Sequence, residues 1–100
     1  MAIKKAKESK AKPKRHRVRF SIFAKDARHV VLAGDFNQWD QTCKCIKKKN
    51  GHWEKTVLLP PGTYEYKFLV DGRWCLDPTN DHVCANSFGT RNNVRVVNPK

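Results

Sequence analysis

The stretch GTYEYKFLVDGRW, Gly62–Trp74, decides the fold. Tyr64, Tyr66, Phe68 and Val70 fall on one side of a period-two alternation, with Thr63, Glu65, Lys67 and Leu69 on the other. Successive strand residues point to opposite faces, so this pattern predicts a β-strand whose aromatic row is buried. Asp71-Gly72 then supplies a two-residue hairpin turn, and Arg73–Leu76 returns as a short strand. Pro60-Pro61 stops the preceding run, because proline cannot donate to a ladder.

The same period continues outward in both directions. Val18, Phe20 and Ile22 alternate with Arg17, Arg19 and Ser21, and Val30–Ala33 is a short apolar strand ended by Gly34-Asp35. Thr42–Lys48 alternates weakly, and Asn50-Gly51 favours a type I′ turn into His52–Leu59. Asn93–Val97 closes the sheet with Val94 and Val96 inward, and Asp77–Gly89, rich in Asp, Asn, Pro and Gly, reads as a loop begun by Asp77-Pro78. Turn signals recur about every eight to twelve residues, with no helical period and no internal repeat. The fold class is therefore all-β, an immunoglobulin-like antiparallel β-sandwich.

Charge divides the chain. Residues 1–17 hold eight Lys or Arg against one Glu, so this stretch carries +7 of the net +12, and every aromatic residue lies beyond it. Such a segment buries too little apolar surface to offset its ordering entropy, so residues 1–16 are expected to form a disordered basic tail and residues 17–98 the folded module. A unit of that size supports one modest core and has no room for a barrel-sized catalytic domain. No apolar run approaches the roughly 18 residues of a membrane span, and the Lys-rich start leads into no apolar signal segment. A soluble, cytoplasmic protein is expected, with reduced thiols at Cys43, Cys45, Cys75 and Cys84. A zinc site drawing on Cys43 and Cys45 with His82 and Cys84, or with His52, is the sharper alternative, but the spacing fits no zinc-ribbon pattern. No metal and no cofactor is expected.

Three segments carry the chemistry: VLAGDFNQWD (Val31–Asp40), the Gly62–Trp74 stretch, and SFGTRNNV (Ser87–Val94). Together they resemble the glycogen-binding module of the AMP-activated protein kinase β subunit and the N-terminal early-set domains of isoamylases and glycogen-branching enzymes, carbohydrate-binding modules of family 48. The resemblance runs from about Arg17 to Val97. It implies an early-set sandwich that binds α-glucan, with Lys67, Phe88, Thr90 and Asn92 at the family's sugar-contacting positions. Phe88 stands where the kinase module has leucine, the residue that projects into the curve of a helical glucan.

Each of these residues also has an ordinary reading. Trp39 and Trp74 follow turns and suit neither inward row, so they serve either as exposed stacking platforms or as half-buried sandwich residues. Lys67, on the polar face of its strand, is either a donor to sugar hydroxyls or a solvated lysine. Phe88 is either a wedge or core. Asn93 lies one residue from Asn92 and competes with it for the family position.

Catalysis is not expected, because Asp35, Asp40, Asp71, Asp77 and Asp81 all sit in turns that explain them, and no Ser-His or Cys-His pair has supporting context. The basic tail suits nucleic acid or another polyanion, yet the aromatic residues are not interleaved with it. A purely structural interaction module is a third possibility. The reading that accounts for most residues is a non-catalytic α-1,4-glucan-binding module, for glycogen, starch or maltooligosaccharides. Because the sequence ends at Lys100, soon after the last strand, a glycogen- or starch-metabolising enzyme is expected as a separate, non-covalent partner, with no kinase regulation implied.

Overall fold

A computed structural model describes residues 14–99. The tail expected over residues 1–16 lies mostly outside that range, and within it His16 already belongs to a strand. Eight strands follow one another: β1 (His16–Phe23), β2 (Val30–Gly34), β3 (Ile46–Lys47), β4 (His52–Leu59), β5 (Gly62–Val70), β6 (Arg73–Cys75), β7 (Val83–Ala85) and β8 (Arg91–Val97). One sheet has the order β1-β4-β3; the other runs β2-β5-β8-β7, with β6 added to the end of β5 by the hairpin. All pairings are antiparallel, so the all-β sandwich holds.

The aromatic row of β5 is the core, as its alternation requires. Tyr66 and Phe68 are fully buried, and Phe20 from β1 meets Tyr66 across the sheets at 4.8 Å between ring centroids. Leu32, Val30, Ile22, Val18 and Leu59 complete this layer, and Trp53 joins it with its indole N–H donated to the Ala24 carbonyl. The Tyr64 hydroxyl donates to the Pro60 carbonyl at 2.6 Å, tying the β4–β5 corner to the strand that leaves it.

Four local assignments come out differently. First, the inward row of β8 is Asn93, Arg95 and Val97, since Tyr66 pairs with Asn93 and Tyr64 with Arg95. Val94 is buried but shares the Glu65 face, and Val96 is exposed. Polar residues take the inward places because each has a partner there. Asn93 accepts from the Asp77 amide and donates to the Asp77 and Asn80 carbonyls, while the Arg95 guanidinium lies 4.9 Å over the Phe20 ring.

Second, Thr42–Lys48 is not one strand. Cys43 and Cys45 make backbone bonds to β2, whereas Ile46 and Lys47 pair with β4, so the chain steps from one sheet to the other. Third, the stretch read as a loop contains β7, whose three residues pair with β8. Fourth, the connection at Asn50-Gly51 does use positive φ at both residues, but the Lys48 N–H donates to the His52 carbonyl, making a three-residue loop.

Candidate functional site: a cleft on the five-strand sheet

The face of β5 opposite the core forms the floor of an open cleft of about 1010 Å³, lined by residues of β5, β6, β7, β8 and the turns beside them. Trp39, Lys67, Trp74, Phe88, Thr90 and Asn92 all line it. Residues from three separated segments thus meet on one surface.

Trp39 comes from the turn after β2. Gly34 begins that turn, and a side chain there would place its Cβ 2.6 Å from the Glu65 carbonyl oxygen and 2.8 Å from the Phe36 ring, so only glycine lets the turn press onto β5. The Asn37 carboxamide accepts from the Gly34 amide and donates to the Leu32 carbonyl, and Trp39 N–H donates to the Gly34 carbonyl. Gln38 and Trp39 both adopt positive φ, 55° and 59°, a sparsely populated conformation for non-glycine residues that persists only where surrounding bonds enforce it. Asp35 provides that enforcement: one carboxylate oxygen accepts the Trp39 indole N–H at 3.0 Å and the other accepts the Glu65 amide at 2.8 Å. With its N–H so occupied, Trp39 offers the cleft its ring.

Trp74 sits on β6 opposite Leu69, on the outward face, and is 44% exposed. The Asp71-Gly72 turn that aims it has positive φ at both residues, as a type I′ turn requires. Asp71 also accepts from the Arg28 and His29 amides at 2.9 and 2.8 Å, and these bonds hold its carboxyl below the usual carboxylate range. The two indoles stand 6.2 Å apart between ring centroids and are inclined at 67°.

Between the two indoles and the far rim lies a chain of hydrogen bonds. Lys67, 9% exposed, donates through Nζ to Thr90 Oγ1 at 3.2 Å. Asn86 donates to the same oxygen at 2.7 Å and to Asn92 Oδ1 at 2.9 Å, and Asn92 donates to Glu65 Oε1 at 2.9 Å. Asn92 is therefore a buried member of the floor, whereas Thr90 is exposed. Asn93, its neighbour in sequence, faces the core and takes no part. Phe88 is 88% exposed at the tip of the preceding turn, where Gly89 has φ 82°, and no core residue packs against it. Cys84 pairs with Asn92 across the β7–β8 ladder, its thiol pushed up by burial first and then by the neighbouring carboxylates of Glu65 and Asp35.

Sequence reading passed over Asp35, Glu65 and Asn86, which position the others, and Gln41, Leu76, Ala85, Ser87 and Arg91, which complete the lining. Asp35 and Asn86 looked like turn residues, a role that both do fill, Asp35 opening the 35–37 turn and Asn86 accepting the Phe88 amide. Among the described residues, no three His, Cys, Asp or Glu side chains gather as a metal ion requires, and no helix is long and apolar enough to cross a membrane. Cys45 is buried in the core, and burial lifts its thiol to about 12.

The family described as the glycogen recognition site of AMP-activated protein kinase matches residues 15–100. The chain is 37% identical over 76 residues to protein PTST homolog 2, chloroplastic, of Arabidopsis thaliana, covering 76% of this chain and 14% of that protein. It is 36% identical over 67 residues to the β-1 subunit of 5′-AMP-activated protein kinase of Sus scrofa, covering 67% and 52% respectively. With protein FLOURY ENDOSPERM 6, chloroplastic, of Oryza sativa subsp. japonica it shares 33% identity over 78 residues, 78% of this chain and 14% of that one. The chain spans about half or less of the length of these relatives.

Proposed function

Because the chain belongs to the carbohydrate-binding family described as the glycogen recognition site of AMP-activated protein kinase, we propose that its cleft binds a single α-1,4-glucan chain without catalysis, stacking glucose rings on Trp39 and Trp74. The observation that carries this reading is the 67° inclination of two indoles 6.2 Å apart. A flat, extended polysaccharide needs coplanar platforms, whereas successive glucose units of a curved α-glucan present their apolar faces at an angle. Stacking removes the C–H face of a pyranose from water and leaves its rim of hydroxyls to the floor.

The floor suits that rim. Lys67 keeps two ammonium N–H groups beyond its bond to Thr90, and Asn92 keeps one amide N–H and one lone pair. Phe88 projects from the far rim as an apolar wedge for the concave side of the same chain. The cleft aromatics are accompanied by Asn, Thr and Glu, not by a track of basic residues, so single-stranded nucleic acid suits it less well. Glycogen or starch is the polymer that supplies such chains, in a cytoplasmic setting, and a glycogen- or starch-metabolising enzyme is the protein partner for a domain that binds without catalysis.

The test is retention on glycogen and calorimetric titration with maltoheptaose for Trp39→Ala and Trp74→Ala. Burying roughly 80–100 Å² of apolar area per platform contributes about 2 kcal/mol, so each variant is expected to bind about thirtyfold more weakly. Melting should change little for Trp74→Ala and somewhat more for Trp39→Ala, which also loses the indole bond to Asp35, but both should stay folded, since neither ring belongs to the core cluster. Normal glycogen binding by the folded double variant would end the platform reading.

A further inference from the structure

Asn86 lies outside all three segments that carry the family resemblance, yet it makes more bonds in the cleft than any residue within them. Its Oδ1 accepts the Phe88 and Thr90 amides at 2.9 and 3.1 Å, and its Nδ2 donates to Thr90 Oγ1 and Asn92 Oδ1 at 2.7 and 2.9 Å. Its backbone N–H donates to the Thr90 carbonyl at 3.0 Å. Both donors and both acceptor positions of its carboxamide are therefore in use.

A hydroxyl has two acceptor lone pairs and one hydrogen. At Thr90 both lone pairs are taken, one by Lys67 and one by Asn86, and no group among the described residues accepts the hydrogen. Thr90 is exposed, so that hydrogen points into the cleft. We infer that Asn86 is the positioning residue of the glucan site: it shapes the Phe88 turn and, by saturating the Thr90 hydroxyl from behind, makes Thr90 an obligate donor to a ligand oxygen. The inference rests on the cleft being the glucan site. It adds a specificity rule: together with Lys67, Thr90 forms a donor-only step in the floor, and the glucose oxygen lying on it acts as an acceptor.

Substitutions at Asn86 separate shape from hydrogen-bond direction. In Asn86→Asp the carboxylate still accepts both backbone N–H groups, so the turn is retained, but it cannot donate to Thr90 or Asn92. The Thr90 hydrogen then turns back to the carboxylate and the cleft loses its donor. Asn86→Ser holds the same turn through its own oxygen and is too short to reach Asn92, so it serves if the charged variant folds poorly.

Titration of the whole chain with maltoheptaose, alongside thermal melting and amide NMR shifts of Phe88 and Thr90, is the experiment. Folded Asn86→Asp and Asn86→Ser are expected to keep the turn shifts and bind about tenfold more weakly. Thr90→Ser should bind normally and Thr90→Val about tenfold more weakly. The double variant Asn86→Asp/Thr90→Val should lose little beyond either single change, because both act through one hydroxyl. Unchanged affinity in both Asn86 variants, or a double variant showing the product of the two single losses, overturns the assignment. Trp74→Ala is run in parallel: if it loses binding while the Asn86 variants do not, only the role of Asn86 falls; if it binds normally, the site itself has been misplaced.

Discussion

Close approach at single residues sets the geometry of the cleft. Gly34 is the sharpest case, because the carbonyl of Glu65 and the ring of Phe36 occupy the space of its missing side chain. A Gly34→Ala change must push the Trp39 turn away from β5, lengthening the Asp35 bond to the Glu65 amide. Overpacking of this kind costs about 1–3 kcal/mol, so the variant is expected to melt several degrees lower and to bind glucan more weakly than its residual folded fraction explains. Parallel melting and titration at a temperature where the variant is fully folded check this. The fold brings the six candidate residues to one cleft; Trp39 and Trp74 were legible as candidates from the turns they follow, the other four from the family resemblance. Asp35, Glu65 and Asn86 were not, because their partners lie on other strands or their role is hidden behind ordinary turn chemistry, and only the fold pairs Asp35 with Glu65 or Asn86 with Asn92.

Among the elements, the β5–β6 hairpin joins stability to binding. Asp71, in its turn, accepts the Arg28 and His29 amides from the chain entering β2, so one carboxylate locks the hairpin that carries Trp74 to the neighbouring strand. These bonds lower its carboxyl from the ordinary value of 3.8. The unfolded chain therefore takes up this proton first as pH falls, and the contribution of Asp71 is fully present above the unfolded value and lost as pH falls through the lower, folded one. Urea midpoints measured from pH 6 down to pH 2 should fall less for Asp71→Asn than for the native protein, since an amide oxygen accepts the same bonds without titrating. Strands with strong alternation, β1 and β5, were readable from the sequence, as was β4 from the turn residues that bound it. The inward face of β8 was not, because hydrophobic alternation cannot anticipate Asn93 inside, where Asp77 and Asn80 satisfy it, or Arg95 lying over Phe20. β7 escaped notice because three residues amid turn formers carry no period.

Across the whole molecule, charge and site are separate. The stretch 1–17 carries +7 of the net +12, while the cleft is assembled from β5, β6, β7, β8 and the turns beside them. A neutral glucan releases no counterions on binding, so its affinity is expected to stay nearly constant between about 50 and 300 mM salt, whereas any oligonucleotide affinity should collapse over that range and fall steeply on removal of residues 1–14, which hold six Lys against one Glu. Melting should barely move on that removal, and persistent oligonucleotide binding by the shortened chain would mean that the folded domain itself recognises nucleic acid. The sandwich as a whole was readable because its period and turns are local properties. The convergence of three segments on one face depends on sheet order, which no local pattern encodes. β5 adds a further consequence: its odd and even positions answer to different demands, Tyr66 and Phe68 to the interior and Glu65 and Lys67 to the cleft. If the cleft takes glucan as proposed, a combinatorial library drawn at the outward positions, with the inward row held constant, would explore new sugar preferences on an unchanged chassis, a starting point for engineered lectins.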